Sequence, residues 1–427
     1  MNHSEIGIIH LWDLPENKVS LGIKEEYLKN LLEIAKRLAG GKWINISKKI
    51  NLPLPKDGFS TPIRSMRRKN VVGLDVLKKL SYFLVSNGHN KFSLENIEKN
   101  LLFLKSRMGN AGAIVNPKFP INFNSKEGMH VISCLLHDGG IDTRNLEAFY
   151  SNLNKELKDD FYISVKKVVG EIGTISESHI YKEIVFPKIL GIILVFLGLV
   201  PGKRQINNPK FPKFILDLSK ELKFKFLSHA IADDGWVYNP KKGFGYVSFN
   251  FTVDLTRFSK EERQRIRKEK DLEYLPNVLI GDMGLFKDVG CEVEGPYFGN
   301  EKRYYDENNK ERRYTQEWKM NIRDFRSLNI LRKGLKIPLV YKQKKLEEIS
   351  RKERKQSILR YEILVVLNEL GKTTRAQISK QTGLTLRRLD YSLKRFKENG
   401  LVDVESSSDY LYYFLTEKGI READIFN

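Results

Sequence analysis

The chain has 427 residues and a formal net charge of +21, from 74 lysine and arginine residues against 53 acidic ones. Its length predicts about two to four domains, and its apolar content of 41% is typical of globular proteins. Two cysteines and seven scattered histidines exclude a disulfide framework and argue against a zinc site. The excess of positive charge favours a polyanionic partner such as nucleic acid, although a generally lysine-rich proteome would also produce it.

The N-terminal region is predicted to be helical and basic. Its first residues, MNHSEIGIIHLWDLPENK, lack the basic start and long apolar run of a signal peptide, so we expect a cytoplasmic protein. KEEYLKNLLEIAKRLAG predicts one helix, and Ser60–Thr61–Pro62 predicts the start of another that carries Arg64, Arg67 and Arg68. These short helices predict an all-α, helix-turn-helix-like DNA-binding region over residues 1–108. A small helical bundle with a solvated basic face is the alternative.

A proline-rich connector at residues 109–127 leads into a region of mixed helix and strand. The most apolar run, ILGIILVFLGLV at Ile189–Val200, is shorter than the roughly 18–20 residues of a membrane span and predicts a buried helix. YVSFNFTVDL and YTQEWKMNIR alternate strictly between two sets of residues, one facing a core and one polar. They predict two half-buried strands of an antiparallel sheet with one polar face.

The last part of the chain, residues 347–427, predicts a charged linker helix followed by a winged-helix domain. SILRYEILVVLNELG, TRAQISKQTG and TLRRLDYSLKRFKENG predict three successive helices, and LVDVES…YLYYFLTEKG predicts a two-stranded wing. The third helix begins at Thr385 and carries Arg387 and Arg388 near its start, where they would enter the major groove of DNA. A winged helix that binds a protein partner is the alternative.

Two apolar helices that end in Asp-Gly form a repeat. GMHVISCLLHDGGI aligns with FKFLSHAIADDGWV, so that Asp138 pairs with Asp234 and Gly139 with Gly235. Two negative helix ends with carboxylates, packed side by side, require either a protonated acid or a bound cation. Oxygen ligands suit Mg²⁺, which beside a basic, polar sheet predicts cleavage of a phosphodiester. Alternatively, the acids are solvated and Gly235 is a left-handed helix stop.

These residues resemble the LAGLIDADG (dodecapeptide) homing endonuclease family. Beyond the two Asp-Gly helices, the resemblance includes NPKFP, YSNLNKELKDDF, FPKILGIILVFLGLVPGKRQ, EVEGPYF and IPLVYKQKKLEEI, and it covers roughly residues 93–346. The N-terminal helical unit also resembles the helix-turn-helix segment of free-standing archaeal members. In the second motif His229 stands where the family has a small residue, which predicts looser packing between the two helices.

The resemblance implies an α+β fold in which two pseudo-symmetric αββαββα repeats, residues 128–225 and 226–346, form a saddle over DNA. It implies a monomer that binds double-stranded DNA. Asp138 and Asp234 would bind Mg²⁺ and orient the attacking water, and Lys203 (or Arg204) and Lys342 would assist near the scissile phosphate. The residues that would face DNA from the second repeat are Ser248, Asn250, Thr252, Lys319, Asn321 and Arg323.

Three functions are consistent with the sequence. The first is a Mg²⁺-dependent, site-specific double-strand DNA endonuclease, which the presence of both acids favours. The second is a DNA-binding transcriptional regulator that uses a non-cleaving, nuclease-derived domain, which the two flanking DNA-binding units favour. The third is an RNA-binding splicing helper on the same scaffold, which the charge alone allows.

Overall fold

The computed structural model describes residues 6–53, 62–108, 112–173, 175–178, 183–241, 245–407 and 410–424. The fold is mixed α+β, as the sequence predicts. The chain forms two compact units, of which the first is Met1–Val237, Val247–Ile322 and Lys333–Gln343, and the second is Tyr238–Tyr246, Arg323–Arg332 and Lys344–Asn427. Across the described residues, every helix is too short or too polar to span a bilayer.

The N-terminal region contains strands as well as helices, so the prediction of an all-α region is wrong. Its elements are β1 (Ile8–Ile9), β2 (Val19–Ile23), α1 (Glu25–Leu38), α2 (Trp43–Lys49), α3 (Pro62–Lys69), β3 (Val71–Gly73), α4 (Leu74–Ser86), α5 (Leu94–Glu98), β4 (Leu101–Ser106), β5 (Ala113–Val115) and β6 (Ile121–Asn122). All five residues of β2 are buried, and a strand buried on both faces shows no alternation for sequence reasoning to detect.

The next part of the chain begins with the first Asp-Gly helix. Its elements are α6 (Lys126–His137), β7 (Gly139–Ile141), β8 (Ala148–Ser151), α7 (Lys155–Val169), β9 (Glu171–Ile172), β10 (Ser176–Ser178), β11 (Glu183–Val185), α8 (Lys188–Phe196) and α9 (Arg204–Asn207). The apolar run at Ile189–Val200 forms most of α8 and is largely buried, as predicted. Strand β9 extends the N-terminal sheet, whose order is β3-β2-β4-β5-β9.

The second Asp-Gly helix opens a similar series of elements. These are α10 (Lys220–Asp233), β12 (Gly235–Tyr238), β13 (Tyr246–Asp254), α11 (Lys260–Glu269), α12 (Asn277–Asp288), β14 (Glu294–Tyr305), β15 (Glu311–Ile322) and α13 (Phe325–Gly334). The two series build sheets of the same order, β7-β8-β11-β10 and β12-β13-β15-β14. Strands β13 and β15 pair antiparallel from Val247↔Ile322 to Asp254↔Thr315, which confirms the two predicted strands.

The C-terminal part has the predicted order of three helices and a hairpin. Its elements are α14 (Val340–Leu370), β16 (Thr373–Thr374), α15 (Arg375–Thr382), α16 (Leu386–Glu398), β17 (Val402–Ser406), β18 (Leu411–Leu415) and α17 (Glu417–Asp424). The predicted linker and first helix are one continuous helix, α14. Gly383 ends α15 in the left-handed conformation, with a φ of 67°. The helices and the first strand of the hairpin share a core of Ile363, Leu364, Leu367, Ile378, Leu384, Leu389, Leu393, Phe396, Val402 and Ala423.

Candidate functional site

The two Asp-Gly helices begin with the same kind of cap and pack against each other. The side chain of Ser125 accepts a hydrogen bond from Gly128 N at 3.1 Å, and Ser219 caps α10 in the same way. Between the helices, Ser133 Oγ donates to the carbonyl oxygen of Phe226 at 2.8 Å. Helix α6 ends at its C-cap Asp138, and α10 ends at its C-cap Asp234.

The glycines after these aspartates are required by close backbone approach. Neither Gly139 nor Gly235 has a positive φ, so the alternative of a left-handed helix stop is wrong. A Cβ on Gly139 would lie 2.6 Å from the carbonyl oxygen of Phe149, and one on Gly235 would lie 2.6 Å from the Cα of Ile231. Because glycine has no Cβ, β7 and β12 begin directly after the two helices and pack closely against their ends. Each aspartate therefore lies at the turn between helix and strand.

Three carboxylates, rather than two, lie at this end of the helices. Asn152 Nδ2 donates to Asp138 Oδ2 at 3.1 Å, and the Tyr150 hydroxyl donates to Asp233 Oδ1 at 2.7 Å. Asn152 Nδ2 also lies 3.2 Å from the Tyr150 hydroxyl oxygen, which links the two acids through strand β8 and the residue after it. The other oxygen of Asp233, Oδ2, is buried without a hydrogen-bond partner among the described residues.

Burial and mutual repulsion raise the proton affinity of these acids. The pKa of Asp138 is raised to about 6, first by burial and then by the negative charge of Asp234. The pKa of Asp233 is raised to about 7, first by burial and then by the charge of Asp138. Asp138 and Asp233 therefore stay protonated to a higher pH than an ordinary aspartate does, as expected for like charges that lie close together.

Two basic side chains neutralise the helix ends. Arg204 Nη1 lies 2.9 Å from Asp234 Oδ2, and it donates to the carbonyl oxygens of Leu136, at 2.5 Å, and His137. Lys342 is buried, and its Nζ donates to the carbonyl oxygens of Ile231, Ala232 and Gly235 at 2.7–2.8 Å. A cation at a helix C-terminus stabilises the macrodipole, so each residue caps one of the two helices.

The structure distinguishes between the two basic residues predicted for the first repeat. Lys203 is exposed as the N-cap of the short helix α9, whereas the next residue, Arg204, reaches the acids. Of the two residues that the sequence offered, Arg204 is therefore the one that contacts the acids, and the catalytic role predicted for Lys203 stays a prediction. Sequence spacing could not separate neighbouring residues, because the direction of each side chain depends on how α9 packs.

A buried ion pair supports the end of α6 from α12. His137 Nδ1 lies 2.7 Å from the carbonyl oxygen of Ser133, and Nε2 lies 3.1 Å from Asp282 Oδ2. Both side chains are fully buried. Burial alone would lower the pKa of His137, but the Asp282 carboxylate outweighs it and raises this pKa to about 9. Both ring nitrogens therefore have oxygen partners, and the Asp282 carboxylate favours the protonated imidazole, while burial also raises the pKa of Asp282.

The polar face of the second sheet is only partly open. Asn250 is exposed, and Thr252 and Lys319 are half-buried. Ser248 and Asn321 are buried opposite each other in the β13–β15 pair, where the Ser248 hydroxyl donates to the Met320 carbonyl at 3.0 Å. This corrects the expectation that these two face a partner. The last predicted residue, Arg323, is exposed just beyond β15.

Strand β14 carries a surface that the sequence reasoning missed. Three tyrosines and two basic residues are among its exposed positions, and these are Tyr297, Lys302, Arg303, Tyr304 and Tyr305. Interleaved aromatic and basic side chains are typical of nucleic-acid-binding surfaces, because they combine stacking with phosphate contact. The stretch NEKRYYDENNKERRY contains these tyrosines and basic residues. Acidic residues lie among them, so the sequence alone does not mark the stretch as a basic surface.

The predicted basic residues outside the repeats are at the surface where the structure describes them. Arg67 and Arg68 are exposed on α3, and the Arg67 guanidinium lies 4.1 Å from the ring centroid of Trp43. The side chain of Arg64 lies outside the described residues. Thr385 is the N-cap of α16, and Arg387 and Arg388 are exposed in its first turn.

Comparison with protein-family models gives no match, and comparison with curated proteins gives none either. Two solved structures share a distant likeness. One is full-length DUF199/WhiA from Thermatoga maritima, with 14% identity over 64% of this chain and 92% of that chain, at a TM-score of 0.27. The other is the homing endonuclease I-WcaI bound to its DNA recognition sequence, with 18% identity over 51% of this chain and 86% of that chain, also at a TM-score of 0.27. A likeness this distant carries no argument about function.

Proposed function

We propose that this protein is a Mg²⁺-dependent, site-specific double-strand DNA endonuclease of the LAGLIDADG type. The observation that carries the proposal is the cluster of Asp138, Asp233 and Asp234 at two adjacent helix ends, where burial and repulsion raise the pKa of Asp138 to about 6 and that of Asp233 to about 7. A bound divalent cation relieves such repulsion. The matching sheet orders of the two repeats support a saddle with internal pseudo-two-fold symmetry in a monomer.

The donor atoms fit Mg²⁺. The cluster offers carboxylate oxygens, which this ion prefers, and one of them, Asp233 Oδ2, is buried without a partner among the described residues. Asp138 and Asp234 would hold the ion. When bound, Mg²⁺ lowers the pKa of a coordinated water and neutralises charge on a phosphate. Arg204 Nη1 is engaged with Asp234 and with two carbonyl oxygens, and the remaining nitrogens of its half-buried guanidinium would reach a phosphate oxygen. Lys342 is engaged with three carbonyl oxygens, so its proposed role is to position the end of α10.

The DNA would lie on the exposed face of the second sheet and on the tyrosines and basic residues of β14. The basic residues of the remaining regions extend the proposal to the rest of the chain. Residues 1–108 would bind flanking DNA through α3, and residues 128–225 and 226–346 would form the two repeats. Residues 109–127 contain β5 and β6, which pair with strands of the N-terminal region, so the connector prediction is not carried further. Residues 347–427 would bind DNA through the first turn of α16.

Selection from a random duplex pool tests the proposal. Bound DNA is recovered in Ca²⁺, which supports binding, and is then transferred to Mg²⁺. Cutting of the selected duplex in Mg²⁺ supports the endonuclease and gives its site. Tight, selective binding that leaves the DNA intact supports a regulator instead. Failure to select any duplex contradicts both and makes an RNA pool the next experiment.

A second candidate function is a DNA-binding regulator with a non-cleaving domain. One observation favours it: the described acids at the helix ends already have protein partners. Arg204 binds Asp234 at 2.9 Å, and Asn152 binds Asp138 at 3.1 Å. These contacts neutralise part of the repulsion without a metal. The selection experiment separates the two functions, because only an endonuclease cuts the DNA that it selects.

The affinity for Mg²⁺ is expected to depend on pH. Asp138 has a folded pKa of about 6 and Asp233 one of about 7, above the ordinary value, so the folded state holds their protons more tightly than the unfolded state does. Without metal, their contribution to stability is therefore lost as pH rises from about 4 through about 7. Mg²⁺ competes with these protons, so it should raise the melting temperature more at about pH 8 than at about pH 5.

Thermal unfolding at the two pH values, with and without Mg²⁺, measures this effect. The Asp138→Asn/Asp234→Asn variant is the control and should show no shift at either pH. An equal shift in the variant would mean that Mg²⁺ binds elsewhere.

The first turn of α16 is expected to contribute to DNA affinity. Replacing Arg387 and Arg388 with alanine in the full chain should weaken binding of the selected duplex. It should also make the logarithmic salt dependence shallower, by up to about 2 if both contact phosphates. The control is Arg421→Ala, an exposed arginine on α17. An unchanged salt slope in the double variant would mean that this helix meets a protein.

A further inference from the structure

Three potential soft metal ligands meet where α6 packs on α10. His130 and Cys134 are one helical turn apart on α6, and His229 faces them from α10. All three are buried, and their potential ligand atoms lie within 4.8 Å of one another. The sequence led us to expect no such group, because the histidines are scattered along the chain. Packing of the two helices brings them together.

The hydrogen bonding of this group is incomplete. His130 Nδ1 is 2.8 Å from Ser164 Oγ, but Nε2 of His130 and Nε2 of His229 are buried without a partner among the described residues. A buried polar nitrogen without a partner is unfavourable, and two at one place are rare in folded proteins. In the tautomer of His130 that donates Nδ1–H to Ser164, the lone pair is on Nε2, which is the usual arrangement of a metal-binding histidine.

Burial keeps both imidazoles in the form that binds metals. It lowers the pKa of His130 to about 3 and that of His229 well below its usual value, with a further contribution from nearby positive charge. Both rings are therefore neutral at physiological pH, and their nitrogens are available as ligands. The Cys134 thiol is not in a disulfide, and burial together with the neighbouring Asp233 carboxylate raises its pKa, so the ion would have to displace the thiol proton.

A cavity connects the two histidines of this group with solvent. It has a volume of about 510 Å³, and His130, His229, Ser164 and Ser228 are among its lining residues. Four lysines line the cavity, and two of them are paired with acids: Lys126 lies 2.6 Å from Glu221, and Lys167 lies 3.4 Å from Glu127. These ion pairs reduce part of the repulsion that a cation would meet on the way in, while Lys225, whose charge acts on both histidines, contributes to it. His130 is two helical turns, about 12 Å, from Asp138 along α6, whereas Cys134 lies between them and contacts Asp233 of the acid cluster.

We propose that His130, Cys134 and His229 bind one Zn²⁺ ion that clamps α6 against α10. Two imidazole nitrogens and one thiolate favour Zn²⁺ over Mg²⁺, and the cavity leaves the fourth tetrahedral position to water. The sulfur–zinc bond forms as the Cys134 thiol releases its proton to solvent, with no change in oxidation state. The rings of His130 and His229 are stacked, with centroids 3.6 Å apart and planes at 12°. Because imidazole lone pairs lie in the ring plane, one ring turns about its Cβ–Cγ bond when the ion binds.

Cobalt substitution tests the proposal on the full chain without a histidine tag. One equivalent of Co²⁺ should bind and give a thiolate-to-cobalt charge-transfer band with intense tetrahedral visible bands, and Zn²⁺ should displace it. Cys134→Ser should remove the charge-transfer band and weaken Co²⁺ binding by more than about 10-fold. The other buried cysteine provides the matched control, since Cys291→Ser should keep both properties.

A charge-transfer band that persists in Cys134→Ser would overturn the proposal, as would failure of the unmodified protein to bind Co²⁺. A second measurement covers the case in which Cys134→Ser does not fold. X-ray absorption of the unmodified protein loaded with Zn²⁺ should show one sulfur neighbour and at least two nitrogen neighbours. A shell without sulfur would rule out this site. Neither readout depends on DNA cleavage, so the zinc proposal and the proposed function can fail separately.

Discussion

Replacing both Asp138 and Asp234 with asparagine is expected to abolish DNA cleavage and to leave DNA binding intact or tighter. Asparagine keeps the shape of each side chain but removes the charge that would hold Mg²⁺. A loss of about 1,000-fold or more in the cleavage rate is expected when a catalytic metal is no longer bound. Binding should tighten for two reasons: two negative charges near a phosphate are lost, and Arg204 is released from Asp234.

The measurement is cleavage of the selected duplex in Mg²⁺, together with fluorescence anisotropy of binding in Ca²⁺. Asp159→Asn is the control, because Asp159 is an exposed acid on α7 that pairs with Lys155. It should change neither property. If the double variant loses binding together with cleavage, the acids are structural. If it still cuts at the control rate, the proposed site is wrong.

Replacing Asp282 with alanine is expected to cause the largest loss of stability among single substitutions at the site. The change leaves His137 buried without its carboxylate, and breaking a buried ion pair by removing one partner costs about 3–5 kcal/mol. Asp288→Ala is the matched control on the same helix. Asp288 pairs with Lys223 at 2.7 Å with 47% of its side chain exposed, and such pairs contribute about 1 kcal/mol or less.

The pH dependence of this effect has a definite sign. The folded pKa of His137 is about 9, above its usual value of 6.5. Its contribution to stability is therefore complete below about pH 6.5 and is lost as pH rises through about 9. Urea denaturation at about pH 7 and about pH 10 should show the difference between the unmodified protein and Asp282→Ala shrinking at the higher pH. A constant difference would mean that Asp282 stabilises by packing alone.

Regular patterns in the sequence predicted the elements that carry the site. The Asp-Gly repeat predicted that α6 and α10 end alike, and strict alternation predicted β13 and β15. Both signals are local, since they depend on helix stops and on side-chain period. The same reasoning did not predict strand β2. Its residues VSLGI are all buried, and a short apolar run does not distinguish a strand from a helix.

The details of the site depend on tertiary packing and could not be predicted. Arg204 reaches Asp234 because of the way α9 lies, and Asp282 meets His137 from a helix 145 positions away. Asp233 is next to the predicted Asp234, but only its burial under Tyr150 makes it a third member of the cluster. Burial of Ser248 likewise follows from its place between paired strands. Sequence spacing predicted which segments form the site, whereas tertiary packing determines which side-chain atoms meet there.

Strand β9 makes the N-terminal region and the first repeat depend on each other for their structure. A domain boundary at residue 109 or 128 would hide this dependence. It pairs with β5, which continues the sheet of β2, β3 and β4, while β6 pairs with β1 at the start of the chain. A chain shortened to begin at residue 128 would lack β5, the strand with which β9 pairs, and unpaired strand edges invite aggregation. The N-terminal region and the first repeat should therefore unfold together in one cooperative step, and a protease that cuts between them should not release two stable fragments.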